Sequence, residues 1–120
     1  MKNADNALIE KMIQINDQVI SMRSKWKHYP KDNYIAYRIS GQVNILWMRK
    51  YKSFFRIYVA KLDENGRLQY DTTGNERVYQ GKVTKNDNIS DLEIFEKVNP
   101  ALGGNLWIIL ERMLCLQELG

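Results

Sequence analysis

Residues capable of covalent catalysis are scarce in this chain, which contains one histidine, His28, and one cysteine, Cys115. A Ser/His/Asp or Cys/His site would have to use His28 as its base. Such a base needs a partner that orients it, whereas His28 lies among cations and rings between a predicted helix and a predicted sheet. Cys115 lies in an apolar helical pattern, which is typical of a buried structural thiol. The sequence therefore assigns no catalytic residue.

Metal-ion chemistry has one weak signal. One histidine and one cysteine cannot supply the four nitrogen or sulfur ligands of a zinc site. Asp71 and the later pair Gln80 and Lys82 follow the order in which restriction-type nucleases place a metal-binding carboxylate and a Gln-x-Lys motif. Short motifs of this kind often arise by chance, and the parallel strand and crossover helix of a nuclease core do not follow. No metal and no cofactor is assigned.

The strongest chemical signal is the stretch from Arg23 to Lys61, which combines positive charge with flat rings. It holds nine of the thirteen aromatic residues and ten of the eighteen Lys and Arg residues, with Asp32 as its single carboxylate. Cations interleaved with rings suit the phosphates and bases of nucleic acids. The cations predicted to bind phosphate are Arg23, Lys25, Lys27, Arg38, Arg49, Lys50, Lys52 and Arg56. The rings predicted to stack on bases are Trp26, Tyr51 and Tyr58.

Two helices and a meander are predicted to position this stretch. Residues 4–24 show the apolar spacing of one helical face, and residues 106–119 show it again. Between them, residues 34–39, 43–48 and 53–61 are rich in β-branched and aromatic side chains and are separated by short polar turns. The first helix also carries extra isoleucines beside its main stripe, which leaves room for a homodimer through this helix.

Alternation along the three strands predicts two different sheet faces. A three-residue turn at 40–42 would set Ile39 opposite Val43 and Ile35 opposite Trp47, which gives an apolar core face. The opposite, amphipathic face would present Tyr34, Ala36, Arg38, Asn44, Leu46, Met48, Phe54, Arg56, Tyr58 and Ala60. If a helix or a long loop covered that face, its rings would be core residues and the nearby cations would be solvated turn residues.

The segment after Lys61 is less regular. Turn signals precede a candidate strand at 67–70 and another at 77–84. Ser90 and Glu93 have the spacing of a capping box, which predicts a short helix over 91–97.

These elements predict one domain over residues 1–120, of the α+β class. An antiparallel meander of three to five strands would pack against an N-terminal and a C-terminal helix. The lone cysteine favours a reducing compartment, and the sequence contains neither an apolar signal core nor an apolar run long enough to span a bilayer. We therefore expect a cytoplasmic protein that does not enter membranes.

The segment Asn33-Tyr-Ile-Ala-Tyr-Arg38, followed by a strand with Phe55-Arg-Ile-Tyr-Val59 and a terminal helix, resembles a known family. It is similar to an uncharacterised domain found at the C-terminus of predicted endonuclease-related proteins, which are sometimes labelled predicted transport proteins. The resemblance extends over residues 8–118 and rests on Tyr34–Arg38 and on the order of the elements. It implies a companion role in restriction or DNA-processing systems and carries over no catalytic residue.

Three functions follow, in order of support. The first is a non-catalytic binding module whose basic-aromatic face binds an anionic partner, for which nucleic acid is the favoured class. The second is a small protein-interaction factor or inhibitor, of the phage or host-defence kind, that acts on a nucleic-acid-processing partner. The third is a metal-dependent nuclease that uses Asp71, Gln80 and Lys82.

Overall fold

The computed structural model describes residues 6–22, 26–39 and 43–119, with side chains described except at positions 39, 43 and 114–119. Its elements, in chain order, are α1 (Asn6–Met22), β1 (Lys27–Lys31), β2 (Tyr34–Ile39), β3 (Val43–Lys50), β4 (Phe55–Ala60), β5 (Val78–Val83), a 3₁₀ turn (Ile89–Asp91), β6 (Glu93–Glu96), β7 (Gly103–Asn105) and α2 (Leu106–Leu119). The helix–meander–helix order predicted from the sequence is confirmed.

The strands form one antiparallel sheet in which each strand pairs with the next along the chain, from β1 to β7. The α+β class is therefore confirmed, whereas the prediction of three to five strands is wrong because the sheet has seven. The segment that forms β1 had been placed between the predicted helix and the predicted sheet, with no strand assigned to it. An edge strand tolerates proline, since the N–H groups on its outer side have no partner strand.

One hydrophobic core fills the space between a single face of the sheet and both helices. From the helices it takes Leu8, Met12, Ile15, Val19, Leu106, Leu110 and Met113. From the sheet it takes Tyr37, Ile45, Leu46, Met48, Phe55, Ile57, Val59, Val83 and Ile94. Burying one large apolar side chain is worth about 1.5–3 kcal/mol, so this shared core fixes both helices on the same side of the sheet. The other side is left without a helix in the described part of the chain.

A β-bulge in β3 changes the predicted faces. The register between β2 and β3 shifts between Tyr37 and Arg38, so Ile45 on β3 has no partner on β2. Both Ile45 and Leu46 are buried, although alternation had predicted that Leu46 faces away from the core. The extra residue reverses the alternation in the rest of β3 and turns Trp47 to the opposite side of the sheet.

The pairing beyond the bulge follows from this shift. Ile39 pairs with Val43 as predicted, because both precede the bulge on the turn side. Ile35 pairs with Met48 and not with Trp47, so that prediction is wrong. Met48 accordingly lies in the core, against the expectation that it belongs to the amphipathic face.

Residues 61–77 form an irregular hairpin between β4 and β5. Isolated bridges join Leu62 to Leu68 and Tyr70 to Glu76, so the strand predicted at 67–70 is reduced to single bridges. The strand predicted at 77–84 is present as β5 and runs through Gly81 without a break.

The short helix predicted over 91–97 is wrong. Asn88 caps the start of the 3₁₀ turn, where its side chain accepts the N–H and the hydroxyl of Ser90. The backbone becomes extended at Leu92, which ends the helical geometry after one turn. The chain then alternates between exposed and buried residues, with Ile94 in the core, and so forms β6.

The last helix begins at a polar cap. The Asn105 Oδ1 atom accepts the backbone N–H of Trp107 at 3.0 Å and that of Ile108 at 3.3 Å, which satisfies donors that the first helical turn leaves free. The Trp107 indole N–H donates to the Ile89 carbonyl at 2.7 Å and ties α2 to the 3₁₀ turn.

Within the described ranges, neither helix combines the length and apolar character that crossing a bilayer requires.

Candidate functional site

The sheet face that is turned away from both helices is called the open face here. On β1–β5 it carries cations, rings and neutral polar groups, and none of the described residues on it is a carboxylate. Its cations are Lys27, Lys31, Arg38, Arg49, Arg56 and Lys82. Its larger neutral side chains are Tyr29, Tyr34, Asn44, Trp47, Tyr58 and Gln80. All twelve are exposed or half-buried, so the face is accessible to a partner.

The strand register places four of these cations in one line across the sheet. Directly paired positions on β1–β5 are Lys31, Tyr34, Arg49, Arg56 and Lys82, which we call the cation row. Neighbouring strands lie about 4.8 Å apart, so the row spans about 19 Å from β1 to β5. Four positive charges thus lie along a line that runs perpendicular to the strands.

A second line of paired positions runs beside the first. It consists of Tyr29, Ala36, Trp47, Tyr58, Gln80 and Phe95 on β1–β6, and we call it the ring row. Two residues along a strand separate the rows, which places them about 7 Å apart. Within the ring row, Trp47 and Tyr58 stack, with ring centres 5.3 Å apart and planes inclined by 12°. A line of charge therefore lies beside a line dominated by rings.

Rings hold two of the arginines of the open face in position. The guanidinium carbon of Arg38 lies 4.6 Å from the centre of the Tyr29 ring, and that of Arg49 lies 5.4 Å from the centre of the Tyr34 ring. Arg38 Nε also donates to Asn44 at 2.8 Å, and the Asn44 amide donates to the Tyr34 hydroxyl at 2.7 Å. Cation–π contacts at exposed sites contribute about 0.5–1 kcal/mol each, which restricts these long side chains without neutralising them.

The loop between β3 and β4 supplies a further ring. Phe54 lies under Lys82, whose Nζ is 4.4 Å from the ring centre, and Arg56, whose guanidinium carbon is 5.5 Å away. Tyr51 stacks on Phe54 with ring centres 5.0 Å apart. Two members of the cation row thus share one ring as a support.

The phenol of Tyr58 stays neutral at physiological pH. Burial raises its pKa, and the neighbouring Tyr51, to which it is hydrogen-bonded, raises that pKa further. The positive charges of Arg56 and Arg49 lower the pKa by less than these two effects raise it. The open face accordingly presents neutral rings and positive charges together.

The ion pairs found among the described residues do not involve the cations of the open face. Both of these ion pairs use Glu96, which is 1% exposed and is bound by Lys61 at 2.8 Å and by Arg77. Burial raises the pKa of Glu96, but the hydrogen bonds and charges of Lys61 and Arg77 outweigh it, so the pKa lies below its ordinary value. This buried carboxylate ties β6 to the hairpin at residues 61–77 and makes its two ion pairs away from the cation row.

Several predicted binding residues lie on or beside the open face. Lys27, Arg38, Arg49, Arg56 and Tyr58 belong to it. Tyr51 and Lys52 lie in the adjoining loop, where both are exposed.

The other predicted binding residues lie elsewhere. Lys50 is the last residue of β3, on its core-facing side, and donates to the Tyr51 carbonyl at 2.8 Å. Trp26 is buried in the core, so the stacking role predicted for it is wrong. Arg23 and Lys25 lie outside the described residues.

Seven of the twelve residues of the open face were not among the predicted binding residues: Lys31, Lys82, Tyr29, Tyr34, Asn44, Trp47 and Gln80. Tyr34 and Asn44 had been placed on the amphipathic face without a binding role, Trp47 had been placed in the core, and Gln80 and Lys82 had been assigned to a nuclease motif. The bulge at Ile45 explains why Trp47 was predicted on the wrong face. An extra residue that is not recognised reverses the predicted face of every later residue in the strand. Lys82 could have been found from the alternation of β5, once that segment is paired with β4.

The candidate nuclease residues have separate environments. Asp71 lies in a hairpin turn, where its side chain accepts hydrogen bonds from Thr73 and Asn75. The hydrogen bond from the Thr73 hydroxyl is the main reason why the pKa of Asp71 lies below its ordinary value. Gln80 and Lys82 face the open side of β5 instead. The described residues include no group of three His, Cys, Asp or Glu side chains that could hold a metal ion.

His28 lies on β1 opposite Tyr37, with its side chain exposed and its ring centre 6.4 Å from the Tyr37 ring centre.

No family model, curated protein or solved structure matches the chain. The resemblance to the domain of endonuclease-related proteins therefore stays a prediction.

Proposed function

We propose that this protein is a non-catalytic module that binds nucleic acid on the open face of its sheet. The cation row carries this proposal. It places four positive charges in one line with no carboxylate among them, on a face that no described helix covers. A nucleic-acid backbone is a line of negative charges, so the two charge patterns are complementary.

Preorganisation of the cations supports the same function. A flexible lysine or arginine loses side-chain entropy when it binds a phosphate, at a cost of about 0.5–1.5 kcal/mol per side chain. Arg49, Arg56 and Lys82 already rest against rings in the free protein. Part of that entropy is thus lost on folding, which leaves more of the attraction available for binding.

Salt dependence tests the proposal. Neutralising four phosphates of a single strand predicts that log K falls with log salt concentration with a slope of about −3. The measurement is the fluorescence anisotropy of a short labelled single-stranded oligonucleotide, titrated with the protein over a range of salt concentrations.

A matched pair of double variants locates the site. Arg49→Ala with Arg56→Ala should weaken binding at least about tenfold and make the salt slope less steep by about 1.4. Arg67→Ala with Arg112→Ala removes the same charge from exposed positions off the open face and should leave both quantities nearly unchanged. Equal losses in the two pairs, or no binding of wild-type protein at low salt, would refute the proposal.

The other functions would give different results. A protein-interaction factor or inhibitor would be recovered with a discrete protein partner that survives nuclease treatment, and the double variant on the cation row would release that partner. A nuclease would cleave the oligonucleotide when magnesium is added and would lose this activity in Lys82→Ala.

Location and oligomeric state belong to the proposal as well. We place the protein in the cytoplasm, where nucleic acid is available to it. A homodimer through α1 is supported by Ile13, which is 52% exposed. Light scattering of wild-type protein and Ile13→Glu tests it, since a dimer through this helix would become a monomer in the variant.

A further inference from the structure

A depression of about 400 Å³ lies on the open side of β5 and β6, where the cation row and the ring row end. Arg56 and Lys82, the last cations of the row, line one side of it. Phe95, Lys97 and Pro100 line the other side. Its volume is within the range of about 300–1,000 Å³ that is usual for small-ligand sites.

The side chains that line the depression are of several chemical kinds. Phe95 is 40% exposed, so its ring is accessible to a ligand in the depression. Gln80 pairs directly with Phe95 across the two strands, so its amide lies beside that ring. Glu93, two residues before Phe95, adds an exposed acceptor to the lining. A ring, an amide and a carboxylate thus lie next to three cations, Arg56, Lys82 and Lys97.

This combination matches the parts of one nucleotide. Bases stack on phenylalanine rings in proteins that bind single strands, and amide and carboxylate groups hydrogen-bond to base edges. Arg56 and Lys82 lie where a phosphate attached to that base would be attracted.

The base must be unpaired to enter. A paired base is stacked on both faces and uses its Watson–Crick edge for its partner strand, so a base in a duplex cannot reach a ring and an amide on a sheet. We infer that the depression receives one unpaired base of a single strand whose phosphates lie along the cation row. This inference rests on the proposed function and adds to it the class of nucleic acid, single-stranded, and a base-binding subsite.

Two oligonucleotides of equal length distinguish base binding from backbone binding. One is a single strand of mixed sequence, and the other has the same backbone with every base removed. Stacking of one base is worth about 1–3 kcal/mol, so wild-type protein should bind the normal strand about five- to a hundredfold more tightly than the abasic strand. Phe95→Ala should remove most of this preference and leave abasic binding unchanged.

Two further variants complete the test. Gln80→Ala should reduce the preference for the normal strand without changing abasic binding. Val98→Ala shortens a side chain that is 67% exposed and lies outside the depression, so it should change neither affinity. Circular dichroism of each variant verifies that its fold is retained.

The outcomes separate the inference from the proposal on which it rests. If neither strand binds wild-type protein, the proposed function fails as a whole. If both strands bind equally tightly, or if Phe95→Ala keeps the full preference, the base subsite is overturned while backbone binding stands. Tighter binding of a duplex of the same length than of the single strand would also overturn the inference.

Discussion

Arginine and lysine side chains on the open face are supported by rings, which fixes where the sheet presents its charge. Arg38 lies over Tyr29 and Arg49 over Tyr34, so each guanidinium is held near one position. Because guanidinium groups are planar and weakly hydrated, they can stack on a ring and still donate to an anion. In Arg38 the Nε atom already donates to Asn44, so an anion would use its other N–H groups. The contact of each cation with its ring thus determines where its side chain points. The strand register determines that the cations lie in one row.

Trp47 gives a direct spectroscopic report of binding to this face. Trp47 is half-buried on the open face, whereas the other two tryptophans, Trp26 and Trp107, lie in the core and are 7% and 8% exposed. We expect nucleic acid to change the tryptophan fluorescence of the wild-type protein and to leave that of Trp47→Phe almost unchanged. Phenylalanine preserves a ring beside Tyr58, so binding itself should persist in an anisotropy titration. A fluorescence change that survives in Trp47→Phe would place the ligand elsewhere.

Glu96 makes stability depend on pH. The pKa of Glu96 is lower in the folded protein than the ordinary value for glutamate. The ionised carboxylate therefore stabilises the fold fully at pH values above that ordinary pKa. This stabilisation is lost as the pH falls through the folded-state pKa. Glu96→Gln should lower the free energy of unfolding by about 2 kcal/mol at neutral pH, since Lys61 and Arg77 lose their charged acceptor. The difference should shrink as the pH falls below about 4.

Urea denaturation at several pH values measures this effect. Glu93→Gln is the matched control, because Glu93 lies on the same strand with its side chain exposed and makes none of the ion pairs found among the described residues. A loss of stability that is equally large in both variants, or that does not depend on pH, would contradict the structural role of Glu96.

At the scale of elements, β5 and β6 are held close by a glycine. A Cβ atom added to Gly81 would lie 2.7 Å from the Glu93 carbonyl oxygen and 3.0 Å from Ile94 Cγ2. Gly81→Ala should therefore push β6 away from β5 and cost about 1–3 kcal/mol, measured by urea denaturation. Gln80→Ala, a change on the adjacent and solvent-facing position, should cost much less. Unchanged stability in Gly81→Ala would show that the two strands do not approach as closely as described.

Some elements could be predicted from the sequence because local pattern decides them. The spacing of Leu8, Met12, Ile15 and Val19 defines α1, and these residues are the buried ones. The strands β2, β3 and β4 follow from their β-branched and aromatic content. β1 and β6 could not be found in this way, because a charged edge strand and a four-residue strand are fixed by pairing with neighbours and not by their own composition.

The face of each residue was harder to predict than its element. One unpaired residue, Ile45, is enough to move Trp47 from the predicted core to the open face. Nothing in the local sequence marks that bulge, because its stabilisation comes from burying both Ile45 and Leu46. Three of the four cations of the row lie in the basic stretch of the sequence, whereas Lys82 lies outside it. Their alignment in one row needed the register of five strands.

For the whole molecule, the asymmetry of charge follows from where the helices pack. Both helices contribute to a core on one side of the sheet, and the basic stretch of the sequence is placed largely on the other side. The remaining sequence holds thirteen of the fourteen carboxylates, and those described lie off β1–β5. A molecule with its positive charge on one face orients itself toward an anionic partner as the two approach.

The most direct test of this account is a map of the bound surface by solution NMR. Amide resonances of isotopically labelled protein are followed while a single-stranded oligonucleotide is added at low salt. We predict that the largest shifts fall on β1–β5 and in the loop after β3, with Arg49, Arg56 and Tyr58 among them, while α1 and α2 change little. Shifts concentrated on either helix, or no shifts at any ratio of oligonucleotide to protein, would contradict the assignment of the open face as the binding surface.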